Sequence, residues 1–362
     1  MKILVLGFAK LKYMPYANFY LENIDRLTNE VHLLYWNRDL QEEDMTAFQG
    51  ITQHEFLYFQ EDETAKHSKL KSFMAFRRFA KKILAEQQFD YIVVLTSIPA
   101  ILLSDVLMTQ YKNRFILDYR DSTYEGFWPF KYILGKVAKA SRATFISSDA
   151  FRRFFPEREQ SRIYTTHNLL TDSLNHRDIK RDKALDTGKL RIVQWGLLRY
   201  EEINKALIDR VGNDSRFELH YYGREQQTAW NIKEYVRLKQ IENVFFHGEY
   251  KPEERYDFAC QTDILHNIYV GTRNEMMLIS NKYYDGMIFR TPQLCIKGSY
   301  MAEQVEKNGI GLACDPRDAD FVDRVLQYYH TLDHKEFAQN CDRTLDHILE
   351  EYYRGQEIIR SL

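Results

Sequence analysis

DILHNIY (Asp263–Tyr269), NKYYDGMIFRTPQLCI (Asn281–Ile296) and GIGLACDP (Gly309–Pro316) run in the order strand, polar loop, short helix, Pro-led strand, helix, strand. Short apolar runs alternating with segments of helical period are the pattern of βαβ units on a parallel sheet. Lys282 and Asp285 stand one turn apart on the short helix. A helix that begins with Asn281 and Lys282 points its free backbone N–H groups and a fixed positive charge at one small volume, which suits an anionic diphosphate.

Outward from this stretch the pattern extends over the whole second half. RIVQWG, FELHYYG and NVFFHG precede DILHNIY, each followed by a helical stretch, and Gly196, Gly223 and Gly248 close these three runs. A βα turn at such a place needs positive φ or room for a ligand to approach the backbone. In the first half the strand candidates are Ile3–Leu6, Val31–Trp36, Glu55–Phe59, Tyr91–Thr96, Phe115–Asp118, Ala143–Ser147 and Ile163–Thr165. Pro15 is expected to open a helix with Phe19, Tyr20, Ile24 and Leu27 on one face. The polar segment 171–188 reads as a linker, and residues 340–362 as a closing helix that packs back on the N-terminal domain. The expected fold class is therefore α/β, with two Rossmann-like doubly wound domains, residues 1–170 and 189–339, facing each other across a cleft.

Composition sets the outer limits. At 362 residues the chain exceeds the size of one growing core, and 44% hydrophobic with 28% charged residues is ordinary for a globular protein. A net charge of −2 predicts no global affinity for nucleic acid. Cys260, Cys295, Cys314 and Cys341 lack CxxC spacing, which argues against a zinc site and against a secreted disulfide framework, so a reducing cytoplasmic setting is expected. No run approaches the ~18 apolar residues of a membrane span, and KILVLGF reads as a first strand rather than a signal peptide.

The motifs in these positions carry a resemblance. SNKYYDGMIFRTPQL (Ser280–Leu294) resembles the PSKxYEYMAxGxPV segment of GT-B glycosyltransferases, in particular retaining family 4 enzymes of bacterial capsule and surface-polysaccharide assembly. ILDYRDSTYE (Ile116–Glu125) is similar to their DxRDxWPE segment, and TTHN (Thr165–Asn168) to their turn before the interdomain linker. The resemblance implies a nucleotide-sugar donor bound by the second domain and a glycan or lipid-linked acceptor bound by the first, with no metal or other cofactor. Lys282 matches the motif lysine, and Asp285 the carboxylate that holds the ribose hydroxyls. Arg199 lies near the donor-phosphate arginine, displaced by a residue or two. The family's second lysine has no equivalent, since Glu201 and Glu202 occupy its region. The E-x7-E spacing also fails at Met277, which leaves Glu275 as a substitute.

The candidate donor-binding residues are Gly196, Arg199, Tyr222, Gly223, Tyr250, Asn281, Lys282 and Asp285; the candidate acceptor contacts are Gly7, Lys10 and Tyr13. Arg120 and Asp121, after a strand end, are the candidate catalytic pair, with Arg120 as a sugar or phosphate contact and Asp121 orienting a hydroxyl. Each has a plainer alternative. Lys282 and Asp285 could be a surface pair worth a few tenths of a kcal/mol, Arg120 and Asp121 a loop ion pair, and Tyr222 and Tyr250 packing residues. His167 and His247 read as structural rather than catalytic. Two rival functions stay open: a sugar-nucleotide epimerase, and a non-catalytic relative that binds a glycan or partner.

A further feature concerns partners. KHSKLKSFMAFRRFAKK (Lys66–Lys82) carries seven Lys or Arg and no acid, with Leu70, Phe73, Met74, Phe76 and Phe79 interleaved. As a helix it has the composition of an element lying on an anionic membrane surface, so peripheral attachment to the inner face of the cell membrane is one expectation. The alternative is that its aromatics are core. GFWPFKYILGKVAK, from Gly126, repeats the theme.

Overall fold

The computed structural model describes residues 1–61, 66–177, 188–272 and 275–362. The chain separates into two compact units, one of residues 1–167 with 350–362 and one of residues 168–349. The segment 178–187, most of the expected linker, lies outside the described residues, whereas Thr171–His176 forms a 3-10 helix.

The first unit is a seven-stranded parallel sheet of β1 (Lys2–Leu6), β2 (Glu30–Asn37), β3 (Thr52–Leu57), β4 (Tyr91–Leu95), β5 (Phe115–Tyr119), β6 (Ala143–Ile146) and β7 (Ile163–Thr165), in the order β3-β2-β1-β4-β5-β6-β7. The inner strands β1, β4, β5 and β6 are buried almost throughout, which is why they read as continuous apolar runs rather than alternating ones. Helices α1 (Ala17–Leu21), α2 (Lys66–Gln87), α3 (Ser97–Leu102), α4 (Ser104–Thr109) and α5 (Trp128–Ala140) belong to this unit.

Two local expectations shift. The edge strand β3 begins three residues before Glu55 and ends at Leu57, because its register is set by one neighbour, from His32 opposite Thr52 to Asn37 opposite Leu57. The helix after Pro15 stops at Leu21 and leaves Leu27 97% exposed. Asp25 ends it: its carboxylate accepts the Leu27 N–H at 2.9 Å and the Thr28 hydroxyl at 2.7 Å, a local turn that competes with helical bonding.

On α2 the aromatic residues face inward. Phe76 is fully buried, within 4.7 Å of the Phe8 ring and 5.5 Å of the Phe56 ring, and Phe79 lies 5.3 Å from Phe56. Two of its cations are engaged, since Arg77 makes a bidentate pair with Asp105, both bonds 2.9 Å, and Lys81 joins the same carboxylate at 2.6 Å. No helix among the described residues is long and apolar enough to cross a membrane.

The second unit repeats the plan with six parallel strands: β8 (Leu190–Trp195), β9 (Phe217–Tyr222), β10 (Val244–Gly248), β11 (Ile264–Asn267), β12 (Gln293–Ile296) and β13 (Gly311–Cys314), in the order β10-β9-β8-β11-β12-β13. Its helices are α6 (Glu201–Val211), α7 (Gln227–Leu238), α8 (Arg255–Ala259), α9 (Asn281–Ile288), α10 (Tyr300–Asn308), α11 (Phe321–His330) and the first part of α12 (His334–Arg360), whose residues from Glu350 onward belong to the first unit. The last helix starts six residues before Asn340 because Asp333 caps it, accepting the N–H groups of Lys335 at 2.9 Å and Glu336 at 3.0 Å. Leu345 and Ile348 of α12 lie in the core of the second unit, and Tyr352 and Ile359 in the core of the first.

In each sheet the winding reverses beside the first strand, at β1/β4 and at β8/β11. Loops leaving the C-terminal ends of strands diverge there and open a crevice, the usual ligand position in such sheets.

Candidate functional site

Gly196 follows β8 directly, with φ of 93°. A Cβ at this glycine would lie 3.9 Å from the Lys282 Nζ, so the motif lysine reaches across the switch point and lies against the bare backbone of the β8 turn. Lys282 is only 8% exposed, and its ammonium has no hydrogen bond or ion pair among the described residues. Its near neighbour is the Tyr269 ring, 4.8 Å to the centroid. Burial pulls its pKa down to about 8; Asp285 works against that fall and the Arg199 guanidinium adds to it. Two cations thus bear on one small volume in which no carboxylate among the described residues pairs directly with the Lys282 ammonium, an arrangement that costs free energy until an anion arrives.

The helix that carries Lys282 is aimed by a chain of buried amides. Asn267, at the end of β11, accepts the Ser280 hydroxyl at 2.8 Å and donates to Gln293 Oε1 at 3.0 Å; Gln293 in turn donates to the Tyr283 carbonyl at 2.9 Å. Ser280 is the N-cap of α9, and its hydroxyl is committed to Asn267 rather than to the first-turn amides, so no side chain caps them. Gly286 is required here, because a Cβ would fall 2.3 Å from Gln293 Nε2. Asn281, the first residue of the helix, is exposed.

Asp285 does not pair with Lys282 as a surface couple. It is 2% exposed, accepts the Trp195 indole N–H at 2.9 Å, and lies 3.6 Å from the Arg255 guanidinium. Arg199 is exposed. Glu275 accepts the Thr272 N–H at 2.6 Å and the Tyr200 hydroxyl at 3.3 Å, and the Thr272 bond leads the effects that hold its carboxyl below the usual range.

Beside Gly196 a pocket of about 200 Å³ is lined by Gly196, Leu197, Gly223, Arg224, Glu249 and Tyr250. That is less than the ~300–1,000 Å³ of a whole small-molecule site, and suits one ring of a larger ligand. Tyr222 is held between His247 and Phe258, with centroids 4.0 and 4.1 Å away, and Tyr250 meets Phe258 edge-on at 5.1 Å. Tyr250 therefore forms a wall of the pocket, whereas Tyr222 does not line it.

His266 is fixed as the neutral ring. Its Nε2 pairs with Asn204 Oδ1 at 2.9 Å while its Nδ1 accepts the Ile268 N–H at 3.2 Å, so a second proton would set two donors against each other. Burial, with Lys282 adding to it, pulls its pKa to about 3. Burial likewise lowers His220, hydrogen-bonded to His247 at 3.0 Å, to about 4. Between these values and ~6.5 the unfolded chain binds protons that the native unit refuses, so stability is intact above pH 6.5 and is lost as pH falls. Lowering pH from 7 to 5 is expected to cost about 2 kcal/mol per histidine. Urea midpoints at the two pH values check this, and His266→Asn or His220→Gln must each shrink the drop.

The first-unit candidates are placed differently. Arg120, 4% exposed, donates from Nε to Asp118 Oδ2 at 2.9 Å and lies over the Tyr16 ring at 4.9 Å, a buried pair, whereas Asp121 is exposed. Lys10 is 1% exposed, 2.5 Å from Asp39 and 3.5 Å from Glu43, so its charge is already met. Gly7 sits against Met14, and Tyr13 is exposed. His167 bonds to Glu351 at 2.8 Å, a structural contact.

Sequence reasoning missed Asn267, Ser280, Gln293 and Gly286. The available signal was the polar Asn267 and Gln293 inside strands that are otherwise apolar.

No protein-family profile and no curated relative matches the chain. Solved structures do match it over its full length. The Anabaena protein HepE in complex with UDP is 13% identical, each chain fully covered, with a TM-score of 0.68. The lipopolysaccharide outer core galactosyltransferase WaaB in apo form is 13% identical, each chain fully covered, at 0.68. A UDP-GlcNAc 2-epimerase from Neisseria meningitidis bound to UDP-GlcNAc is 11% identical, covering 97% of this chain and 100% of its own, at 0.61. The fold of this protein is that of the GT-B glycosyltransferases: two Rossmann-like α/β units with parallel sheets.

Proposed function

We propose that this protein is a glycosyltransferase that takes a sugar from a nucleotide diphosphate donor bound by its second unit. The observation that carries the reading is the buried, unpartnered ammonium of Lys282 beside Gly196 and the uncapped start of α9. A diphosphate placed there would meet Lys282, the first-turn amides and Arg199, and the base would enter the pocket walled by Tyr250 and Glu249. As the bond from the anomeric carbon to the diphosphate oxygen breaks, negative charge grows on the leaving group, and donors already aimed at it stabilise that state without reorganising. Front-face transfer with retention needs no separate base, because the leaving phosphate can take the proton of the acceptor hydroxyl. The resemblance of Ser280–Leu294 and of Ile116–Glu125 to family 4 motifs supports retention, a metal-free site, and a glycan or lipid-linked acceptor of surface-polysaccharide assembly met by the first unit in the cytoplasm.

That HepE has been solved with UDP and with UDP-glucose supports a uridine donor. The likeness to a UDP-GlcNAc 2-epimerase makes epimerisation the second reading. A melting screen of nucleotides and nucleotide sugars tests the donor site, and a ligand at 100 times its Kd should add about 2.7 kcal/mol. If no nucleoside diphosphate or nucleotide sugar raises the melting temperature, the proposal fails. Incubating the stabilising sugar nucleotide without acceptor then separates the two enzymes, since an epimerase converts it to its epimer and a transferase leaves the sugar unchanged.

Proton linkage supplies an independent check. With its pKa near 8, Lys282 is charged at neutral pH, and a bound diphosphate would raise that pKa. Affinity for the diphosphate is therefore expected to be flat below pH 7 and to fall by up to about tenfold per pH unit above 8. Titration calorimetry at pH 7 and 9 reads the change, and equal affinities would exclude the ammonium as a contact.

A further inference from the structure

We propose that the face of the first unit formed by α5 and the segment after β6 docks on an anionic membrane surface. A groove of about 550 Å³ runs along α5 against residues 153–158. On the helix side, Trp128, Tyr132 and Lys136 form a column at i, i+4, i+8: the two rings stack 5.3 Å apart at 16°, and Lys136 Nζ lies 4.4 Å from the Tyr132 ring. Lys131 and Lys139 flank the column, and Arg153 and Arg158 come from the facing wall. At the floor a Cβ on Gly135 would be 3.7 Å from Pro156.

Charge and apolar surface coincide on this face. No acid occurs between Trp128 and Ala140, and no carboxylate among the described residues pairs with Lys131, Lys136 or Lys139. On the facing wall Glu159 is turned to Arg158 at 3.4 Å and Arg162 at 3.8 Å, and Glu157 is exposed. The inner side of α5 already buries Leu134, Val137, Ala138 and Ala140. Its start nonetheless leaves Phe127 65% and Trp128 71% in solvent, and Tyr132 50%. Large aromatic rings beside lysines fit the headgroup layer of a bilayer, where the rings enter the interface and the ammonium groups stay at the phosphates. A soluble polyanion would satisfy the cations and leave Phe127 and Trp128 in water, so the lipid surface is the better complement. The basic helix α2 is the weaker candidate, since its Phe76 is core and its Arg77 and Lys81 are held by Asp105. This inference rests on the first unit alone and is independent of the nucleotide site.

Sedimentation of the full chain with vesicles of equimolar phosphatidylglycerol and phosphatidylcholine, against phosphatidylcholine alone, tests it at physiological salt. Binding to the anionic vesicles only is expected, with a blue shift of emission that is lost in Trp128→Phe. Each cation near an anionic surface contributes about fivefold in partition, so K131E/K136E/K139E should weaken binding at least about a hundredfold. R78E/K82E on α2 should change it little, and unchanged melting confirms that these surface variants are folded. The proposal falls if the wild-type chain ignores anionic vesicles, if the triple variant binds as well as wild type, or if soluble inorganic polyphosphate binds where vesicles do not.

Discussion

Replacing Lys282 with methionine is expected to abolish the stabilisation by nucleoside diphosphates and to lower the rate of sugar transfer by about 10²–10³-fold, the usual loss for one aimed donor at a developing anion. The same substitution should leave the unliganded protein as stable as wild type or more so. The reason is the depressed pKa: holding a charged ammonium in this environment costs on the order of 3 kcal/mol, and methionine fills similar volume without it. Loss of the Tyr269 contact and of attraction to Asp285 offsets part of this, leaving a gain of roughly 1 to 3 kcal/mol. Differential scanning calorimetry with and without nucleotide resolves both effects. A Lys282→Met protein that keeps the nucleotide-induced shift would show that the lysine does not touch the ligand. One that melts well below wild type without ligand would make the lysine a structural residue instead.

Gly223→Ala is expected to be among the most damaging single-methyl changes in the second unit. A Cβ there would lie 2.0 Å from the Gly196 carbonyl oxygen and 2.9 Å from its carbon, both backbone atoms of the neighbouring turn. Gly196 is tied by its N–H to the Tyr222 carbonyl at 2.9 Å, and Gly223 to that of Gly248 at 2.7 Å, so neither turn can yield without breaking the ladder ends. About 3 kcal/mol or more should be lost, equivalent to a drop of roughly 6 to 12 °C in melting temperature. Gly196→Ala makes the informative contrast. Its Cβ would meet only Lys282 Nζ at 3.9 Å, but its φ of 93° is strained for any side chain, so about 1 to 3 kcal/mol is expected together with a larger loss of nucleotide affinity. If Gly223→Ala melts like wild type, the close approach of the two turns is wrong.

Much of the architecture was legible because parallel strands buried on both faces must be continuous apolar runs, and those runs recur at βαβ spacing. Ends of elements were less legible. Asp25 halted a helix whose apolar period continued to Leu27, and Asp333 started one before its apolar period began. In both places one carboxylate bonding to nearby backbone N–H groups outweighed the hydrophobic pattern. Within the site, Lys282 was found from its motif, whereas the amide chain that aims it was not. Asn267 and Gln293 lie 26 residues apart and become partners only when β11 and β12 pair.

The sequence by itself determined the fold class, the restart of the strand pattern in the second half, and the cationic start of α9, because each depends on spacing and residue type within one segment. Only the tertiary structure decided that Asp285 answers to Trp195 and Arg255 rather than to Lys282, that Arg120 is buried against Asp118, that Lys10 is neutralised by Asp39 and Glu43, and that α2 turns its aromatics inward. The physical reason is that a side chain's charge acts over a few ångströms of space. Which groups share that space is set by strand order and helix rotation, not by distance along the chain.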